Sequence, residues 1–303
     1  MKVTVAVPTL GRESLFHTLA SLRRQTVPPD EIVIAHQGEP SLIPDIEAAS
    51  PGARVLLQEV KGVSRARNAA MRAAQSEWVL WTDDDQEVAP DWVENLRALV
   101  GHYSEVAMLG GAVLPPVVMP EGYHCDQLTI LRDTLIDKDN YLVPPVRHPN
   151  VDHSFWSGNF AVRKAAFQKV GPFDEELGRG STFPVGEDID FAARVISAGF
   201  KGLLSPRLVI YHTYGTRPAH INTADDAVVT TAIMLWKAAR QPGLLDPEIA
   251  AKLLPYGRKK ALLAKLSGGA LYGDQLRRSK LFQETRSRLD REYTVEGGCL
   301  KRE

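Results

Sequence analysis

Short apolar runs alternate with longer amphipathic ones over the first hundred residues. Residues 3–7 alternate around Thr4 and predict a strand, which Pro8-Thr9-Leu10-Gly11-Arg12 ends. Leu15, Phe16, Leu19 and Leu22 recur at helical spacing. Pro28-Pro29-Asp30 closes that helix, and residues 31–35 (EIVIA) predict a second, buried strand. Residues 55–60 predict a third strand. Residues 64–75 predict an alanine-rich helix with Ser64 as its cap. Residues 78–82 predict a fourth strand. Residues 90–100 predict a helix with Asp91 and Glu94 at the positive end of its dipole. This alternation predicts an α/β fold: a mixed, mostly parallel sheet flanked by helices. In such sheets ligands bind at the carboxyl ends of the strands.

The pattern changes after residue 113. Residues 114–152 are rich in Pro and polar residues and predict a long excursion, of a kind that serves as a lid or binding segment. Regular pattern returns at 157–170 and 189–198, and 208–211 predict a last strand ending at His212. From about Thr223 the chain reads as helix only, with basic clusters at Arg258-Lys259-Lys260 and Arg277-Arg278 and an apolar stripe at Leu262, Leu263 and Leu266. The expected division is a domain over 1–215 and a helical extension over 216–303. The extension reads as a solvated cover of the domain; a dimer contact and a seat on an anionic membrane surface stay open.

With 303 residues the chain has room for one large domain and an appendage. A formal net charge of −1 gives no reason to expect nucleic acid as a partner. Cys125 and Cys299 form no metal-type cluster and fit a reducing cytosol, with one disulfide still open. No stretch is apolar enough to span a bilayer, and Met1 leads straight into a strand, so the expected location is the cytoplasm.

Four segments offer chemistry. Asp83-Asp84-Asp85 follows the apolar run 78–81. Adjacent carboxylates repel one another, and at a strand end they suit a hard cation that grips a diphosphate; a solvated, helix-capping turn is the plainer alternative. Glu187-Asp188 follows the Gly178-Arg179-Gly180 loop and suits a general base, or merely an acidic helix start. His212 suits a structural histidine or a nitrogen ligand beside Asp85. Arg65, Arg67 and Asn68 at a helix start suit phosphate or ribose; cations there oppose the dipole and need a partner.

These segments, in this order, resemble the family 2 glycosyltransferases, whose fold is called GT-A. The resemblance runs from Val3 to about Tyr214 through VAVPTLGR, GVSRARNAAM, WTDDDQEVAPDW, SGNFAVRKAAFQKVGPFDEELGRG, GEDIDFAARVISAGF and LVIYH. It implies a nucleotide-sugar half over about 1–113 and an acceptor half over about 114–215. It also implies a nucleotide-diphosphate sugar as donor, Mn2+ or Mg2+ as cofactor, and a saccharide, lipid-linked or small-molecule acceptor. Asp83 and Asp85 match the outer positions of the family's DxD motif, with Asp84 between them. Asp85 is then the metal ligand, His212 completes the metal site, and Asp83 meets the ribose or the metal shell. Pro8, Thr9 and Arg12 match the nucleotide cradle, and Arg67 an arginine near it. Asp188 matches the catalytic carboxylate, with Glu187 beside it. Trp156, Ser157, Gly158 and Asn159 match the wall of the sugar and acceptor pocket.

The chain departs from the family where an acidic pair usually receives the base: here stand His36 and Gln37. Either could accept a pyrimidine ring N–H, but the departure weakens the family's usual UDP: a UDP-sugar stays favoured, and dTDP and GDP stay open. The expected reaction is a single displacement with inversion, with Asp188 as base. The alternatives are a retaining transferase, a sugar-nucleotidyltransferase (which would want a glycine-rich loop where Pro8–Arg12 stand) and a non-catalytic binding module.

Overall fold

The computed structural model describes residues 1–115, 129–141, 155–156, 158–212, 223–253 and 273–303. Its first half alternates strand and helix: β1 (Val3–Thr9), α1 (Ser14–Arg23), β2 (Glu31–His36), α2 (Ile43–Ala49), β3 (Arg54–Leu57), α3 (Val63–Ala73) and β4 (Trp78–Thr82). All seven residues of β1 and all five of β4 are buried. Helices cover both faces, so neither strand needs a polar side. These strands pair in parallel in the order β3-β2-β1-β4.

Then the sheet becomes mixed. It contains β5 (Gln86–Val88), β6 (Val106–Leu114), β7 (Thr134–Ile136), β8 (Asn159–Arg163) and β9 (Lys201–His212), with α4 (Trp92–His102), α5 (Lys164–Val170) and α6 (Glu187–Ser197) between them. Strand β8 runs antiparallel between β4 and β6, while β6 pairs with β9 in parallel. Strand β5 pairs antiparallel with β9, and its register sets Gln86 opposite His212. Two residues 126 positions apart in the chain thus face each other across the sheet's rim, beside the Asp run.

Several boundaries differ from expectation. The third strand is the shorter Arg54–Leu57, and the last is the longer Lys201–His212. Ser64 caps nothing: α3 begins after Gly62, and the Ser64 hydroxyl donates to the Leu177 carbonyl at 2.7 Å. The chain beyond Thr223 is not helix only. After α7 (Thr223–Arg240), α8 (Pro247–Leu253) and α9 (Gly273–Glu292) it closes with a hairpin, β10 (Tyr293–Glu296) and β11 (Cys299–Arg302).

The core spans these parts. Met234 of α7, Leu245 and Ile249 join the main apolar cluster built on β1, β4, β6 and β9. A second cluster gathers Leu177 and Phe183 with Ile233, Trp236, Leu289, Tyr293 and Leu300. Among the described residues no helix is long and apolar enough to cross a membrane. Cys125, the Arg258-Lys259-Lys260 cluster, the Leu262–Leu266 stripe and the expected boundary near 215 lie outside the described residues.

Candidate active site

The Asp run is the turn that joins β4 to β5, so its three carboxylates fan out at the carboxyl end of the sheet. Each meets a different partner. Asp84 is buried and accepts hydrogen bonds from the Thr9 hydroxyl at 2.6 Å and from Arg12 at 2.6 Å. It ties the Thr9–Arg12 loop to the rim. Burial pushes its carboxyl up, against the pull of Thr9 and Arg12. Asp85 meets the His212 Nε2 at 3.0 Å and Arg12 at 3.4 Å. Burial works to raise its carboxyl, but His212, Arg12 and Arg179 outweigh it and hold it below the usual range. Asp83 accepts from Arg67 at 3.3 Å and from the Gln86 amide at 3.4 Å. Burial pushes it up, and Arg67 only partly compensates.

Arg67 joins the two acidic segments. Its guanidinium, 2% exposed, donates to Asp83 and, at 2.9 Å, to Glu187. Burial opposes its charge, but Asp83, Glu187 and Asp188 raise its pKa above the ordinary value. The basic first turn of α3 therefore has the partners it needed, and they are side chains of the rim. Arg65 pairs with Glu175 at 2.6 Å, and the Asn68 amide donates to the Phe173 carbonyl at 2.9 Å and accepts from the Phe173 N–H at 2.8 Å. The Val63 N–H donates to the Arg179 carbonyl at 3.0 Å. The Gly178–Gly180 loop is thus fastened to the start of α3.

Asp188 lies in the first turn of α6 and accepts from the Ile189 N–H at 2.8 Å. Glu187 beside it is the residue Arg67 grips. Trp156 sets its ring edge-on to His212 at 5.6 Å, which places that segment against the rim. A Cβ on Gly158 would lie 2.5 Å from the Gln86 amide and 2.8 Å from the Trp156 ring, so only glycine fits there. Ser157 lies outside the described residues.

Three expected contacts turn inward. Asn159 is fully buried: it accepts from the Trp92 indole at 2.9 Å and donates to the Ala112 and Leu208 carbonyls at 2.8 and 3.1 Å. It fills an irregularity between β6 and β9. Gln37 donates to the Val60 and Gly62 carbonyls and accepts from the Gly62 N–H, so its amide is committed to backbone. His36 is fully buried under Gly11, with its Nε2 2.9 Å from the Glu39 carbonyl. The His36 Nδ1 is buried with no hydrogen-bond partner among the described residues. Gln86 was missed by the sequence reading, although it follows the Asp run directly. Its Oε1 accepts from the Thr82 hydroxyl and the Asp83 N–H and sets the turn.

Among the described residues no group of three or more His, Cys, Asp or Glu side chains is placed to hold a metal ion by itself. The donor set still fits a divalent cation of a particular kind. A carboxylate and an imidazole in contact offer hard and borderline ligands, and Mg2+-type sites take only one or two carboxylates when substrate phosphates supply the rest.

The glycosyl transferase family 2 model matches residues 4–171. The glycosyltransferase EpsH of Bacillus subtilis, itself only putatively assigned, is 32% identical over 111 residues, which cover 35% of this chain and 32% of EpsH. The match thus spans about a third of that relative. Residues 1–349 of S. aureus TarS, solved with UDP-GlcNAc, superimpose with a TM-score of 0.55 at 15% identity, covering 100% of this chain and 97% of that one. The mannosyltransferase PcManGT of Pyrobaculum calidifontis, solved with GDP-Man and Mn2+, gives 0.55 at 17% identity, covering 98% of this chain and 77% of that one. The fold is the GT-A fold, and the chain belongs to glycosyl transferase family 2.

Proposed function

We propose that this protein is an inverting glycosyltransferase that moves a sugar from a nucleotide-diphosphate sugar to an acceptor hydroxyl, with Asp188 as general base. The observation that carries this reading is Arg67, which holds Asp83 at the end of β4 and Glu187 at the start of α6 in one charge system. It links a donor rim to the turn that bears a carboxylate suited to proton abstraction. The fold likeness to chains solved with UDP-GlcNAc and with GDP-Man supports a nucleotide-sugar donor without choosing the nucleotide.

Asp188 takes the proton of the acceptor hydroxyl. The acceptor oxygen forms a bond to the anomeric carbon as the bond to the diphosphate oxygen breaks, and the electron pair leaves with the diphosphate. Displacement from the opposite face inverts the anomeric centre. Glu187 is held by Arg67 beside the base. Asp85 and His212 would hold Mn2+ or Mg2+, which when bound neutralises charge on the leaving diphosphate. The Thr9–Arg12 loop, fixed by Asp84, borders the nucleotide, and Trp156 and Gly158 wall the acceptor side.

A thermal-shift panel of UDP-, dTDP- and GDP-sugars, each with and without Mn2+, identifies the donor, because a ligand that binds the folded state raises the melting temperature. With that donor, Asp188→Asn lowers turnover by roughly 10²–10⁴-fold while calorimetric donor affinity holds. Asp85→Ala instead abolishes the Mn2+-dependent part of donor binding. Equal loss of turnover and affinity in Asp188→Asn would remove that residue from the base role. Retention of the anomeric configuration, read by NMR of the product, would replace inversion.

A further inference from the structure

The segment that carries Glu187 and Asp188 is anchored by the C-terminal part of the chain. The Lys237 Nζ of α7 donates to Asp174 at 2.9 Å and to Asp190 at 2.7 Å. Lys237 and Asp174 are fully buried and Asp190 nearly so. Asp174 opens the loop that leads to α6, and Asp190 sits in the first turn of α6, two residues beyond Asp188. One ammonium therefore pins both ends of the segment 174–190.

The rest of the site reinforces that placement. Asp190 also accepts from the Arg194 Nε at 3.0 Å, and Arg194 donates to the Val170 and Pro172 carbonyls at 2.7 and 2.8 Å. Asp174 also accepts from the Leu300 N–H of the terminal hairpin at 2.8 Å. Two turns before Lys237, on the same face of α7, Thr230 presses on Gly186. A Cβ at Gly186 would lie 2.5 Å from the Thr230 hydroxyl oxygen, and the residue stands at φ +91°, where glycine is favoured. Helix α7 is thus seated on the turn that launches α6. Burying paired charges is a poor way to gain stability, since desolvation offsets most of the attraction. What such a cluster fixes well is geometry.

We propose that Lys237 is a positioning residue for the transfer reaction: through Asp174 and Asp190 it sets where Asp188 stands against the donor rim. The proposal rests on Asp188 as the base, and it makes the C-terminal segment a working part of the site. A misplacement of about 1 Å at a catalytic group costs up to roughly 10²-fold in rate.

The test uses the full chain and the donor selected by the thermal-shift panel, with release of nucleoside diphosphate to water as the assay. Lys237→Met lowers kcat by roughly 10- to 100-fold and leaves the donor KM unchanged, at a temperature well below its own melting point. In an Asp188→Asn background the same change adds no further loss. Amide exchange quickens in residues 174–190 and stays slow in β1 and β4. A loss carried by KM, a loss that multiplies with Asp188→Asn, or unchanged exchange in 174–190 overturns the proposal. If Lys237→Met does not fold, Asp174→Asn serves in its place, since the amide oxygen can still accept from Leu300; wild-type kcat in that variant overturns the proposal too. If the wild type releases no nucleoside diphosphate to water from any donor, the exchange measurement decides Lys237 by itself.

Discussion

The rim at the end of β4 and the cluster beneath α6 both crowd carboxylates against cationic side chains, and they resolve the charge in opposite ways. At the rim Asp83, Asp84, Asp85, Glu187 and Asp188 outnumber Arg12, Arg67 and Arg179. Burial leaves Asp83 and Asp84 raised above the usual carboxylate range, so the rim holds negative charge that it does not fully compensate. Beneath α6, Asp174 and Asp190 meet Lys237 and Arg194 at full burial, and the charges balance within the chain. A surplus suits a site that waits for a cation or a cationic transition state. A balance suits a joint that should not respond to ligands. Binding sites store electrostatic strain, and the scaffold around them must supply the stability.

The sharpest way to break this contrast is to neutralise one charge in each region and compare urea unfolding. Lys237→Met strands two buried carboxylates and is expected to lose about 3–5 kcal/mol. Asp83→Asn removes a carboxylate that burial disfavours, and the midpoint is expected to hold or rise while turnover falls. Equal destabilisation by both variants would show that the rim is as self-contained as the joint.

The pH dependence of stability sharpens the comparison. Burial works against the Asp190 charge, but Lys237 and Arg194 outweigh it and hold its pKa below the usual range. Its contribution is therefore complete above the unfolded-state value of about 3.9 and fades as pH falls through the depressed folded value. Burial likewise opposes the Lys237 charge, but Asp190 and Asp174 hold its pKa above the ordinary value. Its contribution is complete below about pH 10.4 and is lost as pH rises through the raised folded value. Asp83, raised, has the reverse sign of Asp190: the stability it allows is present below about pH 3.9 and is lost as pH rises through its folded value. Unfolding across pH 3–11 is thus expected to show a plateau between about pH 5 and 10. Lys237→Met flattens both limbs, because the alkaline fall loses its titrating group and Asp190 loses the cation that depresses it, and Asp83→Asn steepens the acid rise. A Lys237→Met profile parallel to the wild type would contradict the assignment.

The two regions also differed in how much of them the sequence could disclose. The rim announced itself because an apolar run that ends in three carboxylates is a local pattern, and β1 and β4 are buried on both faces. Even there the contact between Asp85 and His212 depended on β5, a strand of three residues that is too short for any periodicity to reveal. Burial direction was beyond reach as well: His36, Gln37 and Asn159 are polar residues at strand ends, and only the packing of the Leu10–Gly11 turn and of the β6–β9 irregularity turns them inward. The joint beneath α6 left almost no trace. Asp190 and Arg194 stand at i,i+4 spacing, which any surface helix could show, and Lys237 reads as the polar end of an amphipathic helix. The terminal hairpin did leave a signal that went unused. Gly297-Gly298 separates two short strand-like runs, and both glycines adopt positive φ.

The smallest expected effect is chemical and reports on the hairpin. Cys299 is buried, and its thiol lies 3.7 Å from the Pro172 carbonyl. Burial pushes its pKa up to about 11, so little thiolate exists near neutrality and alkylation requires the hairpin to open. The Leu300 N–H beside it is held by Asp174, which also accepts from the Lys237 ammonium. Iodoacetamide labelling at pH 8, followed on the Cys299 peptide by mass spectrometry so that Cys125 is scored apart, is expected to be slow in the wild type and in Asp83→Asn. It quickens in Lys237→Met, because loosening the joint frees the hairpin that covers the thiol. Faster labelling in Asp83→Asn would mean that the rim and the joint form one cooperative unit, and rapid labelling of the wild type would mean that the hairpin does not hold the closed position that anchors Asp174.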